Sequence, residues 1–351
     1  MKSRRLGEFV VPSSKKYFWE NYEDEDLLDV RLCDLGVTIK DSWVERPITK
    51  LYDELKAKHI RLKPHIWLST NWFCPDGVPG FAVPFFLAHP RLMQLERAQM
   101  LEVEGGNLPW CMKLLRHETG HAIQNAYRLA RRKKWQEAFG HNTVPYPDSY
   151  RPKPKSKNYV LHLYFWYAQS HPAEDFAETF AVWVRPKSRW RTRYAEWPAL
   201  KKLNYVNDLM GSLEDVVPPV RTRRHIEPMR TQKMTLREYY DEKREFYGSG
   251  FPPIYDRDLK RLFSDDEKHK HKEAASAFLR RNRRKIRSQV AKWTGEYEFT
   301  LDQVFNHMLG RSRELRLRTV GSESQLCLDF AILLTMRTMQ YLYTSRDQIP
   351  L

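Results

Sequence analysis

Two histidines that flank a glutamate carry the clearest chemical signal in the sequence. His117, Glu118 and His121 belong to the five-residue motif His-Glu-Thr-Gly-His. Residues four apart lie on one face of a helix, roughly 5–6 Å apart at Cβ, so both imidazoles can reach one Zn²⁺ ion. Glu118 would then project beside the metal, where it can take a proton from an activated water. The motif therefore predicts a hydrolytic metal centre.

A catalytic zinc site also needs a third protein ligand and an open fourth position. Glu174 falls in the first turn of a helix that Pro172 is expected to open, and Glu178 lies one turn later on the same face. This pair fits a ligand carboxylate followed by a carboxylate that orients a ligand histidine. His171 and Asp175 are the alternatives for the third ligand, and Glu178 could instead be an ordinary surface charge.

Taken together, HETGH and the later HPAEDFAETFAVW give the chain a resemblance to a known family. They resemble the bacterial zinc-binding metallopeptidases of the gluzincin type. The resemblance covers about residues 27–213 and includes the stretch PGFAVPFFLAHPRL at residues 79–92. It implies a zincin-like fold and hydrolysis of peptide or amide bonds with one Zn²⁺ per chain.

The resemblance also implies a role for each residue of the two motifs. The ligands of the zinc ion would be His117, His121 and Glu174. Glu118 would be the general base, and Glu178 would orient a ligand histidine. In some gluzincins a tyrosine seven residues before the ligand glutamate stabilises the oxyanion, and Tyr167 occupies that place. The alternative role for Tyr167 is packing, because other aromatic residues surround it.

Local patterns predict the elements that must hold these residues. Asn107 and Pro109 favour a helix start, and Gly120 in the middle of that helix indicates that another element packs closely there. A helix that follows a cap at Asp41 or Ser42 is also expected. The remaining predicted elements are helices over 107–132, 160–169, 172–184 and 198–212 and strands over 65–69 and 80–86. Because the second strand contains a proline, we place it at a sheet edge, where an extended peptide could add.

The expected fold class is α+β. A zincin-like metallopeptidase domain with a small mixed sheet and the HExxH active-site helix is followed by a mainly α-helical, basic C-terminal region. A stretch rich in proline and arginine separates the two. The predicted divisions are an N-terminal arm over 1–26, the metallopeptidase domain over 27–215 and the basic helical region over 216–351.

Composition limits the classes to which the protein can belong. The 351 residues include 41% hydrophobic residues, enough for a sizeable core, which excludes wholesale disorder. The longest apolar run is interrupted by Asp329 and is too short to span a membrane. Four scattered cysteines without a CxxC pair exclude a disulfide framework and a zinc ribbon. We therefore expect a cytoplasmic protein.

The net charge of +16 raises a second hypothesis. A basic cluster at residues 280–287 lies over apolar residues at helical spacing: Leu279, Ile286, Val290 and Trp293. It is either the solvated face of an amphipathic helix or a surface for an anionic partner such as nucleic acid. The leading hypothesis is a zinc metallopeptidase that acts on a peptide or protein. The alternatives are a non-catalytic zinc-binding interaction protein and an anion-binding protein that acts through this cluster.

Overall fold

The structure is a computed structural model that describes residues 17–147, 149–150, 153, 156–248, 255–344 and 349–350. The chain divides into two compact units. The first comprises Met1–Arg97, Val103–Asp148 and Pro152–Glu238, and the second comprises Ala98–Glu102, Ser149–Arg151 and Tyr239–Leu351. The predicted domain boundaries after residues 26 and 215 stay predictions.

The predicted N-terminal arm falls partly outside the described residues, which begin at Tyr17. The part that is described belongs to the first unit and is anchored in it. Trp19 is fully buried, and its indole N–H donates to the carbonyl oxygen of Leu35 at 2.9 Å.

The described elements are mainly helical, as expected of the predicted α+β class. In chain order the α-helices are α1 (Asp24–Leu28), α2 (Glu45–Lys56), α3 (Pro90–Met100), α4 (Leu108–Ala126), α5 (Lys133–Phe139), α6 (Pro172–Val184), α7 (Trp190–Arg193), α8 (Ala199–Gly211), α9 (Leu236–Gly248), α10 (Asp256–Leu262), α11 (Ala275–Thr294), α12 (Glu298–Glu314) and α13 (Glu323–Thr344). The strands are β1 (His65–Ser69), β2 (Gly80–Pro84), β3 (Ser149–Tyr150) and β4 (Ile349–Pro350). The first two pair in parallel, and the last two pair in antiparallel fashion within the second unit.

The sheet of the first unit is simpler than the mixed sheet predicted. It is the parallel pair of β1 and β2, to which Phe73 adds one antiparallel bridge at Ala82. The second strand ends at Pro84, two residues early, because Phe85–Ala88 turns into a 3₁₀-helix. All of β2 is buried, and the Ala82 N–H already donates to the Phe73 carbonyl at 2.8 Å. The edge that we expected to bind an extended peptide is thus occupied at Ala82.

The helix that carries the HExxH motif begins as the sequence predicts. The side chain of Asn107 accepts a hydrogen bond from the backbone N–H of Trp110 at 3.0 Å, and Pro109 lies in the first turn. The helix ends at Ala126 rather than near residue 132. Arg128 adopts a left-handed conformation (φ 51°), which breaks the helical path before the short 3₁₀-helix that follows.

The helix that carries Glu174 has the bounds that the sequence predicts, Pro172–Val184. Its N-terminus is capped by His171, whose Nδ1 accepts from the Ala173 N–H at 3.1 Å. Pro172 occupies the first helical position, where a missing N–H costs no hydrogen bond. Every residue from Ala173 to Val184 is buried, so this helix runs through the core of the first unit.

Two predicted helices differ from the structure for identifiable reasons. Helix α2 begins at Glu45 without a side-chain cap, because the Ser42 hydroxyl donates to the Ile39 carbonyl instead. Residues 160–169 form only a 3₁₀-helix over Tyr164–Gln169. Before it, the N–H of Leu161 donates to the Tyr194 hydroxyl and that of Leu163 to Glu178, so both donors are taken by side chains from elsewhere.

The second unit has a core of its own. Helices α10 to α13 pack around large apolar side chains, among them Phe278, Phe305 and Phe330. The predicted amphipathic helix under the basic cluster is α11, and Leu279, Ile286 and Val290 are buried on it. Trp293 was expected on the same buried face but is 75% exposed, because it lies in the last turn of α11, just before the helix ends at Thr294.

Two findings bear on cysteine chemistry and membranes. All four cysteines lie in the described part of the chain and are free thiols. Among the described helices, each one is too short or too polar to cross a lipid bilayer. The cytoplasmic location stays a prediction.

Candidate metal centre

Helices α4 and α6 meet at a glycine. A Cβ atom added to Gly120 would lie 2.7 Å from the Cα of Ala177 and 3.1 Å from its carbonyl oxygen. No side chain fits at that separation, so the absence of a Cβ lets the two backbones approach. The close packing predicted from Gly120 is confirmed, and α6 is the element that packs there.

This approach brings three donor side chains together. The Nε2 atoms of His117 and His121 are 3.1 Å apart, and the Oε2 atom of Glu174 lies 3.0 Å from the first and 3.2 Å from the second. His117 and Glu174 are buried, and His121 is partly buried. Within the described part of the chain, these three residues form a group whose donor atoms could hold one metal ion.

The two other candidates for a third ligand point elsewhere. Both ring nitrogens of His171 bond to the main chain, Nδ1 at Ala173 and Nε2 at the carbonyl oxygen of Val144 (2.8 Å). Asp175 pairs with Lys202 of α8 at 2.5 Å. Neighbouring residues of one helical turn face different directions, and among these candidates only Glu174 faces the two histidines.

Glu178 contacts the ring nitrogen of His117 that does not face the other donors. Its Oε1 atom lies 2.8 Å from Nδ1 of His117, and its Oε2 accepts from the backbone N–H of Leu163 at 2.8 Å. With Nδ1–H donating to Glu178, the Nε2 lone pair of His117 points into the donor cluster. Glu178 is 1% exposed, so it is not the ordinary surface charge that was the alternative.

A further histidine, His162, interacts electrostatically with Glu178. His162 is buried, and its Nε2 atom contacts the carbonyl oxygen of Lys113 at 3.0 Å. Burial lowers the pKa of His162 to about 4, although the charge of Glu178 opposes that shift. The imidazole is therefore neutral near pH 7 and donates to Lys113. No spacing in the sequence indicates this residue, because it lies outside both motifs.

The electrostatics of the cluster favour an ionised carboxylate between imidazoles. Burial alone would raise the pKa of Glu174, but His121 and His117 hold it well below its usual value. Burial would likewise lower the pKa of His117, but Glu174 and Glu178 raise it well above the usual value. The site thus stabilises positive charge beside Glu174.

Glu118 lies in α4 between the two histidines and is 6% exposed. Burial raises its pKa above the usual value, while His117 and His121 oppose the shift. A carboxylate with a raised pKa is a better proton acceptor.

Two tyrosines flank the donor cluster, and the sequence predicted only one of them. The ring of Tyr167 lies beside His117, with centroids 5.7 Å apart. The second is Tyr146, whose hydroxyl donates to Oε1 of Glu174 at 2.7 Å. Tyr146 stands in the long loop between α5 and β3, and its only sequence signal is that long loops in compact domains are often functional.

Comparison with known proteins agrees with the motifs. Neither the curated proteins nor the solved structures gave a match to the chain. Residues 111–220, which include all of the residues discussed above for the donor cluster, match the model of a family described as "Putative zinc-binding metallo-peptidase". This match confirms the resemblance to zinc-binding metallopeptidases over residues 111–220. The gluzincin type and the part of the resemblance before residue 111 stay predictions.

Proposed function

We propose that the protein is a zinc-dependent metallopeptidase of the gluzincin type, with a zincin-like first unit. His117, His121 and Glu174 would hold one Zn²⁺ per chain. The observation that carries this proposal is the convergence of these three donor atoms next to Glu118, within the segment that matches the family model. Peptides or proteins are the proposed substrates.

The separations of the donor atoms are consistent with zinc. Ligand nitrogens and oxygens lie about 2.0–2.2 Å from the ion in tetrahedral sites, which puts neighbouring donors roughly 3.3 Å apart. The three separations in the structure are 3.0, 3.1 and 3.2 Å. The donor set of two imidazoles and one carboxylate is also that of known catalytic zinc sites.

The zinc ion, Glu118 and Tyr167 would each have a different role in peptide hydrolysis. Zinc, when bound, would supply a Lewis acid that acidifies water and polarises the scissile carbonyl. Glu118 would accept a proton as the water oxygen attacks the carbonyl carbon. It would pass that proton to the amide nitrogen as the carbon–nitrogen bond breaks. Tyr167 would donate a hydrogen bond to the carbonyl oxygen as negative charge develops there.

The first test is metal content, measured by elemental analysis on the purified protein. We expect about one zinc per chain in the wild type and loss of zinc in His117→Ala and Glu174→Ala. Glu137→Gln, which changes an exposed carboxylate on α5, is the matched control and should keep its zinc. A wild type that takes up no metal even after reconstitution with zinc would disprove the proposal.

The second test separates an enzyme from a zinc-binding interaction protein. Glu118→Gln removes the general base but none of the three ligands, so zinc should remain while cleavage of a peptide library falls by about 10²-fold or more. A zinc-loaded wild type that cleaves no peptide would favour the interaction protein. Equal cleavage by the wild type and Glu118→Gln would rule out Glu118 as the base.

A further inference from the structure

The two carboxylate oxygens of Glu174 have different neighbours. Oε2 faces the histidine nitrogens, at 3.0 Å from His117 and 3.2 Å from His121. Oε1 points away from them and accepts the hydrogen bond of the Tyr146 hydroxyl at 2.7 Å. Glu174 is 4% exposed, so each oxygen depends on protein partners rather than water.

A carboxylate can bind a metal ion through one oxygen or through both. If Glu174 used both oxygens, it would occupy a second coordination position, and a catalytic zinc needs an open one. We propose that Tyr146 is a positioning residue that restricts Glu174 to one ligand oxygen, Oε2, and so keeps a coordination position free for substrate and water. This inference rests on the proposed function, because it concerns the same zinc ligand.

The loop that carries Tyr146 is fastened to the helix that carries Glu174. The ring of Tyr146 stacks on the ring of His171 with centroids 3.9 Å apart and an interplanar angle of 19°. His171 also donates from Nε2 to the Val144 carbonyl of the same loop at 2.8 Å. Because His171 caps α6 three residues before Glu174, the phenol and the carboxylate are held by one rigid element.

The phenol is suited to this role in its protonated form. A phenol carries its proton at neutral pH, so the Tyr146 hydroxyl is the donor and the Glu174 carboxylate oxygen the acceptor of their 2.7 Å hydrogen bond. Phenylalanine at this position would keep the ring stack on His171 and lose only the donor. Oε1 of Glu174 would then be a buried acceptor without that partner, and a bound cation would be the nearest replacement.

Cobalt(II) substitution tests this role without measuring activity. Four-coordinate Co²⁺ absorbs visible light strongly, and the absorption weakens when a fifth ligand atom binds. We expect the Co²⁺ form of the wild type to give the strong spectrum and Tyr146→Phe to lose much of that intensity. Tyr22→Phe, at an exposed tyrosine elsewhere in the first unit, is the matched control and should keep the wild-type spectrum.

The outcomes separate this inference from the proposed function. If the wild type binds neither zinc nor cobalt, the proposed function itself fails. If the wild type and Tyr146→Phe bind cobalt with the same spectrum, zinc binding stands and the role of Tyr146 is wrong. If Tyr146→Phe binds cobalt more weakly but with the wild-type spectrum, the proposed role of Tyr146 is also wrong. That result would mean that the substitution weakens the site without changing the number of ligand atoms.

Discussion

At the scale of single residues, the candidate site depends on how each donor is oriented. His117 uses both ring nitrogens, Nδ1 toward Glu178 and Nε2 toward the other donors. Glu178 in turn is fixed by the backbone N–H of Leu163. A ligand histidine whose ring is held in this way loses little freedom when a metal binds, so the orienting carboxylate contributes to metal affinity.

Glu178→Gln tests this contribution. The amide keeps the size of the side chain but loses the charge that favours a proton on Nδ1 of His117. We expect the zinc dissociation constant to rise about 10- to 100-fold, as is usual when such a partner is lost. Competition with a chelating dye measures this dissociation constant. The control is Glu137→Gln, which makes the same change at an exposed glutamate. Unchanged affinity would mean that the interaction with His117 does not support zinc binding.

At the scale of elements, the site depends on α4 and how it is packed. Gly120 lets α4 approach α6, and a buried ion pair joins α4 to α2. In that pair the guanidinium of Arg116 donates two hydrogen bonds to the carboxylate of Glu54, both at 2.7 Å. Arg116 precedes His117 directly, so the pair fixes the helix next to the first ligand.

Gly120→Ala should push α4 and α6 apart. The new Cβ would meet backbone atoms of Ala177, which cannot rotate away as a side chain could. We expect a loss of about 1–3 kcal/mol in the free energy of unfolding, the usual cost of overpacking. Weaker zinc binding should accompany it. Urea unfolding of the first unit, together with zinc titration, measures both effects.

The control is another helical glycine. Gly310 lies within α12, and a Cβ added there would meet nothing within 4 Å. Alanine is the better helix former, so Gly310→Ala should stabilise the second unit by up to about 1 kcal/mol. If Gly120→Ala lowered the free energy of unfolding no more than Gly310→Ala does, close packing of α4 on α6 would not be the reason for a glycine at position 120.

At the scale of the whole molecule, the positive charge is partly neutralised where it is densest in the sequence. In the basic cluster at residues 280–287, Arg281 pairs with Glu273 and Glu323, and Arg283 and Arg287 share Asp302. Arg287 also contacts Glu298 and is itself buried. Three exposed members form no ion pair with the described residues: Arg280, Arg284 and Lys285. The anionic partner at this cluster stays a prediction.

Salt-dependent binding of a short duplex DNA tests that partner. If the exposed members bind phosphates, replacing Arg280, Arg284 and Lys285 with serine should weaken binding. The slope of log affinity against log salt should also fall by about 0.9 for each phosphate that the variant no longer neutralises. The control removes the same charge elsewhere, by replacing the exposed arginines at 189, 191 and 193 of the first unit with serine. Equal weakening in both variants would show only an effect of net charge and would contradict a site at the cluster.

The sequence by itself determined the local parts of the site. The spacing of His117 and His121 places both on one face because a helix repeats about every 3.6 residues. Asn107 and Pro109 determined where α4 begins, and Pro172 determined where α6 begins, because capping and the missing proline N–H act within one turn. Such signals depend only on residues that are close along the chain, so they can be recognised without knowledge of the tertiary structure.

Only the tertiary structure decided which side chains meet. His171, Glu174 and Asp175 lie within about one turn at the start of α6, where each residue rotates about 100° from the last, so packing determines which of them faces His117. Tyr146 reaches Glu174 from 28 residues away, through a loop without a regular period. The ion pairs of the basic cluster likewise require the carboxylates of other elements. Contacts between segments that are distant in sequence arise from the packing of the whole unit, so the local spacing of residues does not predict them.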